Sequence, residues 1–194
     1  MSRVVVSTFL SLDGVMQAPG GSDEDRSGGF EHGGWQMPYF DEVGGQAVAQ
    51  GFATTDGLLL GRKTYEIFAA YWPNQPADEP FAAAMNDMQK YVASRTLQEP
   101  LQWSNSTLLK RNVVEEVARL KEQPGKDLQV IGSGEFAQTL IDNDLVDEYR
   151  LMVHPIVLGT GKPLFRDGTK KTPLRLTDST TTTTGVLILT YHPA

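Results

Sequence analysis

Apolar and polar positions fall into blocks that switch period along the chain. Arg3 to Ser11, RVVVSTFLS, is a nearly continuous apolar, β-branched run, the pattern of a strand buried on both faces. From Tyr39 to Phe52 the spacing turns helical, with Phe40, Val43, Ala47 and Val48 on one side. DGLLLG predicts a short buried strand ending at Gly61, and RKTYEIFAAY a helix that Pro73 closes. FAAAMNDM predicts a further short helix, KYVASR a strand, and NVVEEVARLKEQPG an amphipathic helix stopped by Pro124-Gly125. KDLQVIGSGEFAQTLIDNDLV has the pattern of strand, tight turn and helix, DEYRLMVHPIVLG of a long strand, and TGKPLF of a turn with a short strand. LRLTDSTTTTTGVLILTYH predicts a two-stranded hairpin, its threonines Thr180 to Thr184 forming an edge strand with a solvated face, since Thr favours strands.

Strands alternating with helices predict an α/β fold: a central, mostly parallel sheet flanked by helices, with a C-terminal antiparallel hairpin. A length of 194 residues suits one domain over 1–194. The polar, glycine-rich segment 14–38 is too long for a simple connection and reads as a lid-like functional loop.

Composition narrows the function. A net charge of −7 argues against a nucleic-acid surface or an anionic membrane partner. The absence of cysteine excludes disulfides, thiolate nucleophiles and Cys-ligated metals. No apolar run approaches the ~20 residues needed to cross a bilayer. The first apolar run is short and meets Asp13, so it reads as the first strand of a cytoplasmic protein. His32, His154 and His192 have no metal-ligand spacing, and no metal is expected. Ser133 lacks the G-x-S-x-G frame of a nucleophile.

Two helix starts carry candidate chemistry. GSGEFA, with Ala137 in third position, fits the first part of a dinucleotide fingerprint, but no acidic residue ends the following strand. Gly132 and Gly134 still allow close approach to backbone N–H groups, although a plain flexible turn explains them as well. In LLLGRKTYE, Arg62 and Lys63 oppose the macrodipole of the helix they open, at ~0.3–1 kcal/mol each. A bound phosphate reverses that sign, with Thr64 donating and Arg62 clamping. Ser94 and Arg95 stand at the carboxyl end of a third strand, where α/β sheets bind ligands.

GRKTYE after a buried strand and VIGSGE before a helix resemble the paired cofactor motifs of dihydrofolate-reductase-like proteins. SLDG and LVDEYRLMVHPIVLGTGKPLF are similar to one branch, the reductase domain of riboflavin biosynthesis and its stand-alone relatives, and the resemblance runs from Val4 to Tyr191. It implies NADPH as cofactor. Gly61, Arg62 and Thr64 would meet phosphates, Ser94 and Arg95 the adenosine 2′-phosphate, and Gly132, Ser133, Gly134 and Glu135 the pyrophosphate. The region from Ser11 to Met16 would flank nicotinamide and a small-molecule substrate. Ser11, Gly14, Met16, Trp35 and Asp41 are the substrate-side candidates, and a homodimer is implied.

Asp13 ends a buried strand before Gly14 and is the candidate catalytic group, binding hydroxyls or supplying a proton, against the plainer reading of an Asp-Gly turn. Asp41 comes three residues after Pro38, and its simplest role is as an acid at a helix N-terminus. The acidic run Asp23-Glu24-Asp25 disfavours a phosphosugar, and no cysteine-bearing deaminase domain fits the chain. The resemblance implies an NADPH-dependent reductase transferring hydride to a small heterocyclic, imine or carbonyl substrate, and these departures leave its identity open between a riboflavin precursor, a pterin and another compound. The competing expectation is a non-catalytic small-molecule-binding protein that uses Trp35 and Trp72.

Overall fold

The computed structural model describes residues 1–76 and 78–194. The strands are β1 (Val4–Ser11), β2 (Thr55–Gly61), β3 (Gln89–Ala93), β4 (Ser106–Leu109), β5 (Asp127–Ile131), β6 (Glu148–His154), β7 (Leu174–Thr181) and β8 (Leu187–Pro193). The helices are α1 (Glu42–Ala53), α2 (Arg62–Tyr71), α3 (Pro80–Asp87), α4 (Val113–Glu122) and α5 (Gly134–Asp142). One sheet takes all eight strands in the order β4-β3-β2-β5-β1-β6-β8-β7. Every pairing from β4 to β6 is parallel, whereas β8 runs antiparallel to both β6 and β7. The predicted mostly parallel sheet with an appended hairpin is the observed fold.

The two faces of the sheet are sorted residue by residue, as the period of a strand requires. Leu59, Val4, Val6, Leu10 and Val130 pack with Val117 of α4 and with Phe136, Ala137 and Leu140 of α5. Leu58, Leu60 and Val92 pack on the other face with Tyr65 of α2, Met85 of α3 and Phe52 of α1. The uninterrupted apolar run of β2 therefore fills both cores at once.

Three details depart from the sequence reading. β4 had no counterpart in it: only Leu108 and Leu109 of this four-residue edge strand are buried. TGKPLF forms no strand, only a single bridge between Val15 and Pro163. The threonine tract divides, Thr180 and Thr181 ending β7 while Thr182 to Thr184 make the turn. There the Thr182 hydroxyl accepts the Val186 N–H at 3.1 Å, and the Thr184 hydroxyl donates to the Tyr39 carbonyl at 2.6 Å.

Segment 14–38 is packed down rather than loose. Val15, Ala18, Phe30 and Trp35 form a third small core against Phe9, Ile156 and Leu158. The Gln17 amide donates to the carbonyls of Asp25 and Ser27, both at 3.0 Å, and accepts the Lys162 N–H at 3.1 Å.

At the amino end of the parallel strands, two carboxylates share two guanidinium groups. Arg3 binds Asp127 through two 2.9 Å hydrogen bonds and Glu148 through one of 2.8 Å. Arg150 reaches the same pair, meeting Asp127 at 2.9 Å. Each carboxylate side chain is only 6% exposed, so the network staples β1, β5 and β6 where no helix does so. Removing one member strands charge in a dry site. Arg3 keeps half of its side chain in water, so the loss falls at the low end of the range for such pairs. Asp127→Ala is expected to lower the unfolding free energy by about 3 kcal/mol in urea titration; a loss below about 1 kcal/mol would contradict the staple.

Candidate functional site

Because β1, β2, β3, β5 and β6 run parallel, their carboxyl ends open on one rim of the sheet. β2 and β5 are neighbours with Leu59 opposite Val130, so the turns that follow them meet. The Gly61 N–H donates to the Ser133 hydroxyl at 2.9 Å, and the Ser133 N–H donates to the Thr64 hydroxyl at 3.0 Å. This contact needs an unusual backbone: Gly132 and Ser133 are both left-handed, with φ of 56° and 55°. A Cβ at Gly132 would sit 3.3 Å from the Thr64 side chain, and one at Gly134 3.1 Å from Met16 Sδ. Glycine lets the two turns and the first-strand loop converge.

The two helices that leave this junction are uncapped. α1 is capped by Asp41, which accepts the Gly44 N–H at 2.9 Å, and α3 by Glu79, which accepts the Ala82 N–H. α2 begins after Gly61 and α5 after Ser133 with no side-chain cap on either. Their first turns thus leave N–H donors at one place on the rim.

Cations surround that place. Arg62 pairs with Glu66 at 3.0 Å, but both are exposed, and such a pair is worth only about 0.3–0.5 kcal/mol. Its guanidinium is readily exchanged onto an anion. Gly61 stands opposite Ala93 of β3, which brings Ser94 and Arg95 alongside. The Ser94 hydroxyl accepts the N–H groups of Thr96 and Leu97 at 3.1 and 3.0 Å, and so shapes the turn that presents exposed Arg95. Glu135 lies exposed in the first turn of α5.

Arg166 belongs to this group and was not a sequence candidate. Its Nη2 lies 3.5 Å from the position of a Gly134 Cβ, at the start of α5, and it has no ion pair among the described residues. Tertiary crossing puts it there: the Met16 N–H bonds the Lys162 carbonyl at 2.9 Å and the Leu164 N–H bonds the Gly14 carbonyl at 3.1 Å. No local pattern around Arg166 signals this. The one hint is its place directly after the GTGKPLF motif.

Asp13 lies just after β1 and is held by its neighbours in space. It accepts the Ser11 hydroxyl at 2.6 Å and the N–H groups of Leu158 and Gly159 at 3.1 and 2.8 Å. These bonds, that of Ser11 foremost, hold its pKa down to about 2. Its carboxylate thus ties the turn after β1 to the loop after β6.

The substrate-side candidates lie in two places. Ser11 is buried, and its hydroxyl, besides bonding Asp13, accepts the Val15 N–H at 2.9 Å. Gly14 turns the chain at φ 82°, and Met16 is buried in the main core beside Gly134. Trp35 is 6% exposed and donates its indole N–H to the Gln17 carbonyl at 2.8 Å, so it is a core residue of the long loop rather than an open ligand surface. Trp72 likewise packs edge-on against Phe68 and Tyr71. Asp41 lies apart from them: besides capping α1, it accepts the N–H and hydroxyl of Thr183 at 2.8 and 2.6 Å, which holds its pKa to about 2. His154 is buried, with Nδ1 at 2.9 and 3.2 Å from the Met152 and Leu10 carbonyls, and burial pushes its pKa down. It is a satisfied, neutral core histidine.

Among the described residues no cluster of His, Asp or Glu is suited to a metal, and no helix is long and apolar enough to cross a membrane. A cavity of about 350 Å³ between Tyr149, Arg175 and His192 opens at the far, amino-terminal end of β6, away from the rim.

A family model described as the RibD C-terminal domain matches residues 2–188. The protein YyaP of Bacillus subtilis (strain 168) is 37% identical over 98% of this chain and 94% of its own. A Shewanella sp. PV-4 structure, provisionally named a riboflavin biosynthesis protein, superposes with a TM-score of 0.75 at 24% identity, covering 99% of each chain. The dihydrofolate reductase of Enterococcus faecalis, solved with NADP(H), superposes with a TM-score of 0.62 at 13% identity over 98% of this chain and 96% of its own. The fold is thus dihydrofolate-reductase-like.

The clamp role of Asp13 sets a pH signature. Its folded pKa of about 2 lies below the unfolded value near 3.9, so its stabilisation is complete above about pH 4 and lost as pH falls through about 2. Asp13→Asn is expected to melt below the native protein above pH ~4, the gap closing towards pH ~2 in thermal scans. A gap of equal size at every pH would exclude the clamp.

Proposed function

We propose, on the premise that the chain belongs to the RibD C-terminal domain family, that it is an NADPH-dependent oxidoreductase acting on a small heterocyclic, imine or carbonyl substrate. The observation that carries this reading is the junction at Ser133, where two uncapped helix N-termini are joined by hydrogen bonds beside Arg62, Arg95 and Arg166. That arrangement fits a dinucleotide: free N–H donors for the pyrophosphate, and guanidinium groups for the phosphates. Bound there, NADPH would supply the reducing equivalent. Thr64 and Ser133 hold the two turns in register, Arg62 and Arg166 meet phosphate, and Arg95 meets the 2′-phosphate that distinguishes NADPH from NADH.

On the substrate side, the Asp13 clamp and the core around Trp35 fix the wall formed by the first-strand loop and residues 155–161. Asp13 stays ionised and His154 neutral, with Nδ1 committed to carbonyls, so the proton for the reduced centre is drawn from water. The acidic run of the long loop is consumed internally. Asp23 pairs with Arg26, Glu24 accepts the Gly20 N–H at 2.8 Å, and Asp25 meets Lys162 at 2.6 Å. The objection to an anionic substrate therefore weakens, and a substrate of the ribosylaminopyrimidine type is admitted alongside other small heterocycles. We further propose, from the family relation, that the protein is a cytoplasmic homodimer; a light-scattering mass of one 21.3 kDa chain at working concentration would overturn the dimer.

Titration of tryptophan fluorescence tests the cofactor. NADPH is expected to bind at least about tenfold tighter than NADH, the size of one charge-assisted hydrogen bond. Arg95→Ala is expected to erase most of that preference. No binding of either nucleotide at millimolar concentration would sink the reductase reading.

A further inference from the structure

We infer that Lys90 is a positioning residue for recognition of the cofactor's 2′-phosphate: it latches the 94–105 loop to the helix that carries the phosphate turn, and so sets where Arg95 stands. This rests on the NADPH reading above and goes beyond it, because Lys90 lies in the core and touches no ligand.

Lys90 is the second residue of β3 and fully buried, at 0% exposure. An ammonium in such a place is tolerated only with partners. Its Nζ donates to the Asn86 carbonyl at 2.7 Å and the Ser104 carbonyl at 3.1 Å, and stands 4.2 Å over the ring of Trp103. Trp103, itself 3% exposed, donates its indole N–H to Asn86 Oδ1 at 2.7 Å and its backbone N–H to the Tyr65 hydroxyl at 2.9 Å. The Lys90 N–H bonds the Asn105 carbonyl at 2.7 Å. The far end of the loop is thus tied to the end of α3 and to α2.

The near end is tied by Ser94, and Arg95 lies between the two anchors with its side chain in solvent. Tyr65 follows Thr64 directly in α2. The cluster therefore ties the far end of the loop to α2, next to the turn that bears Thr64, and Leu97 and Leu101 of the loop pack against the same core, so the path of the chain from Arg95 onward is fixed at both ends. Stability alone gives a poor reason for a lysine here, since apolar residues of similar volume often replace buried charges without loss. A lysine can bridge two carbonyls and an aromatic face at once, which a methionine cannot. Burial lowers its pKa to about 8, against which Asp87 works, so the latch is largely charged at neutral pH.

The test is binding of NADPH, NADH and adenosine 2′,5′-bisphosphate to the full chain and its variants, by calorimetry. Lys90→Met is expected to weaken NADPH and the bisphosphate about tenfold, one charge-assisted hydrogen bond, and NADH less than about twofold. In an Arg95→Ala background the same change is expected to add nothing, because both act on one contact. Equal weakening of NADPH and NADH, full additivity with Arg95→Ala, or unchanged affinity would each overturn the inference. Trp103→Phe, which keeps a ring over the ammonium but loses the bond to Asn86, and Tyr65→Phe serve as second variants with the same readouts if Lys90→Met does not fold. If the native chain binds no NADPH, the cofactor reading falls with this one. If Arg95→Ala loses the NADPH preference while the latch variants keep it, only the latch falls.

Discussion

Ser133 is the residue on which the arrangement of the rim depends. Its N–H and hydroxyl join the turn after β5 to the turn after β2, and it does this in a left-handed conformation that few residues other than glycine adopt. The strain is tolerated because the sheet dictates it. β2 and β5 lie side by side although α2, β3, β4 and α4 separate them in sequence, and their registered strands deliver the two turns to one point. Two helix N-termini then share one opening, each with unbonded donors. Neither would be more than a helix start alone; joined through Ser133, they place two sets of donors side by side.

Charge is handled differently at the two ends of the sheet. At the amino end Arg3, Arg150, Asp127 and Glu148 neutralise one another completely, and the result is a staple. At the carboxyl end Arg95 and Arg166 stay without carboxylate partners among the described residues, and Arg62 has only an exposed one. In a chain of net charge −7, a local excess of guanidinium on one rim is unfavourable unless an anion joins it. The charge pattern therefore supports the proposed anion site at that rim, which composition alone does not suggest.

Much of this was legible in the sequence, for physical reasons that also mark its limits. RKTYEIFAAY and KDLQVIGSGEFAQTLI carry strong periodicity and punctuation, so α2, β5 and α5 appear where the pattern places them. β4 escaped because an edge strand with two buried leucines has too little period to read. Ser11, Met16 and Trp35 were legible as neighbours of the site but not as its walls, since burial is decided by what crosses above them. Asp13 was legible as a carboxylate at a strand end, but its partners Leu158 and Gly159 are far away in sequence and no local pattern announces them. Arg166 was invisible for the converse reason, its relevance arising only where the chain after β6 passes Gly134.

The long loop bears on what the site can accept. A mobile lid would close over substrate and release it, and its acidic residues would face the cleft. Here Phe30 and Trp35 are buried, Gln17 bridges the loop's own backbone, and Lys162 ties Asp25 to the segment that also carries Arg166. The wall is preformed, and the order it needs on binding is already in place. On the proposed reading, a substrate would meet a fixed shape set by residues 11–16 and 155–161, to which the internally bonded carboxylates of the loop add little charge. On that reading, a fixed wall would suit a small, rigid heterocycle better than a long flexible one, whose ordering a moving lid would otherwise assist.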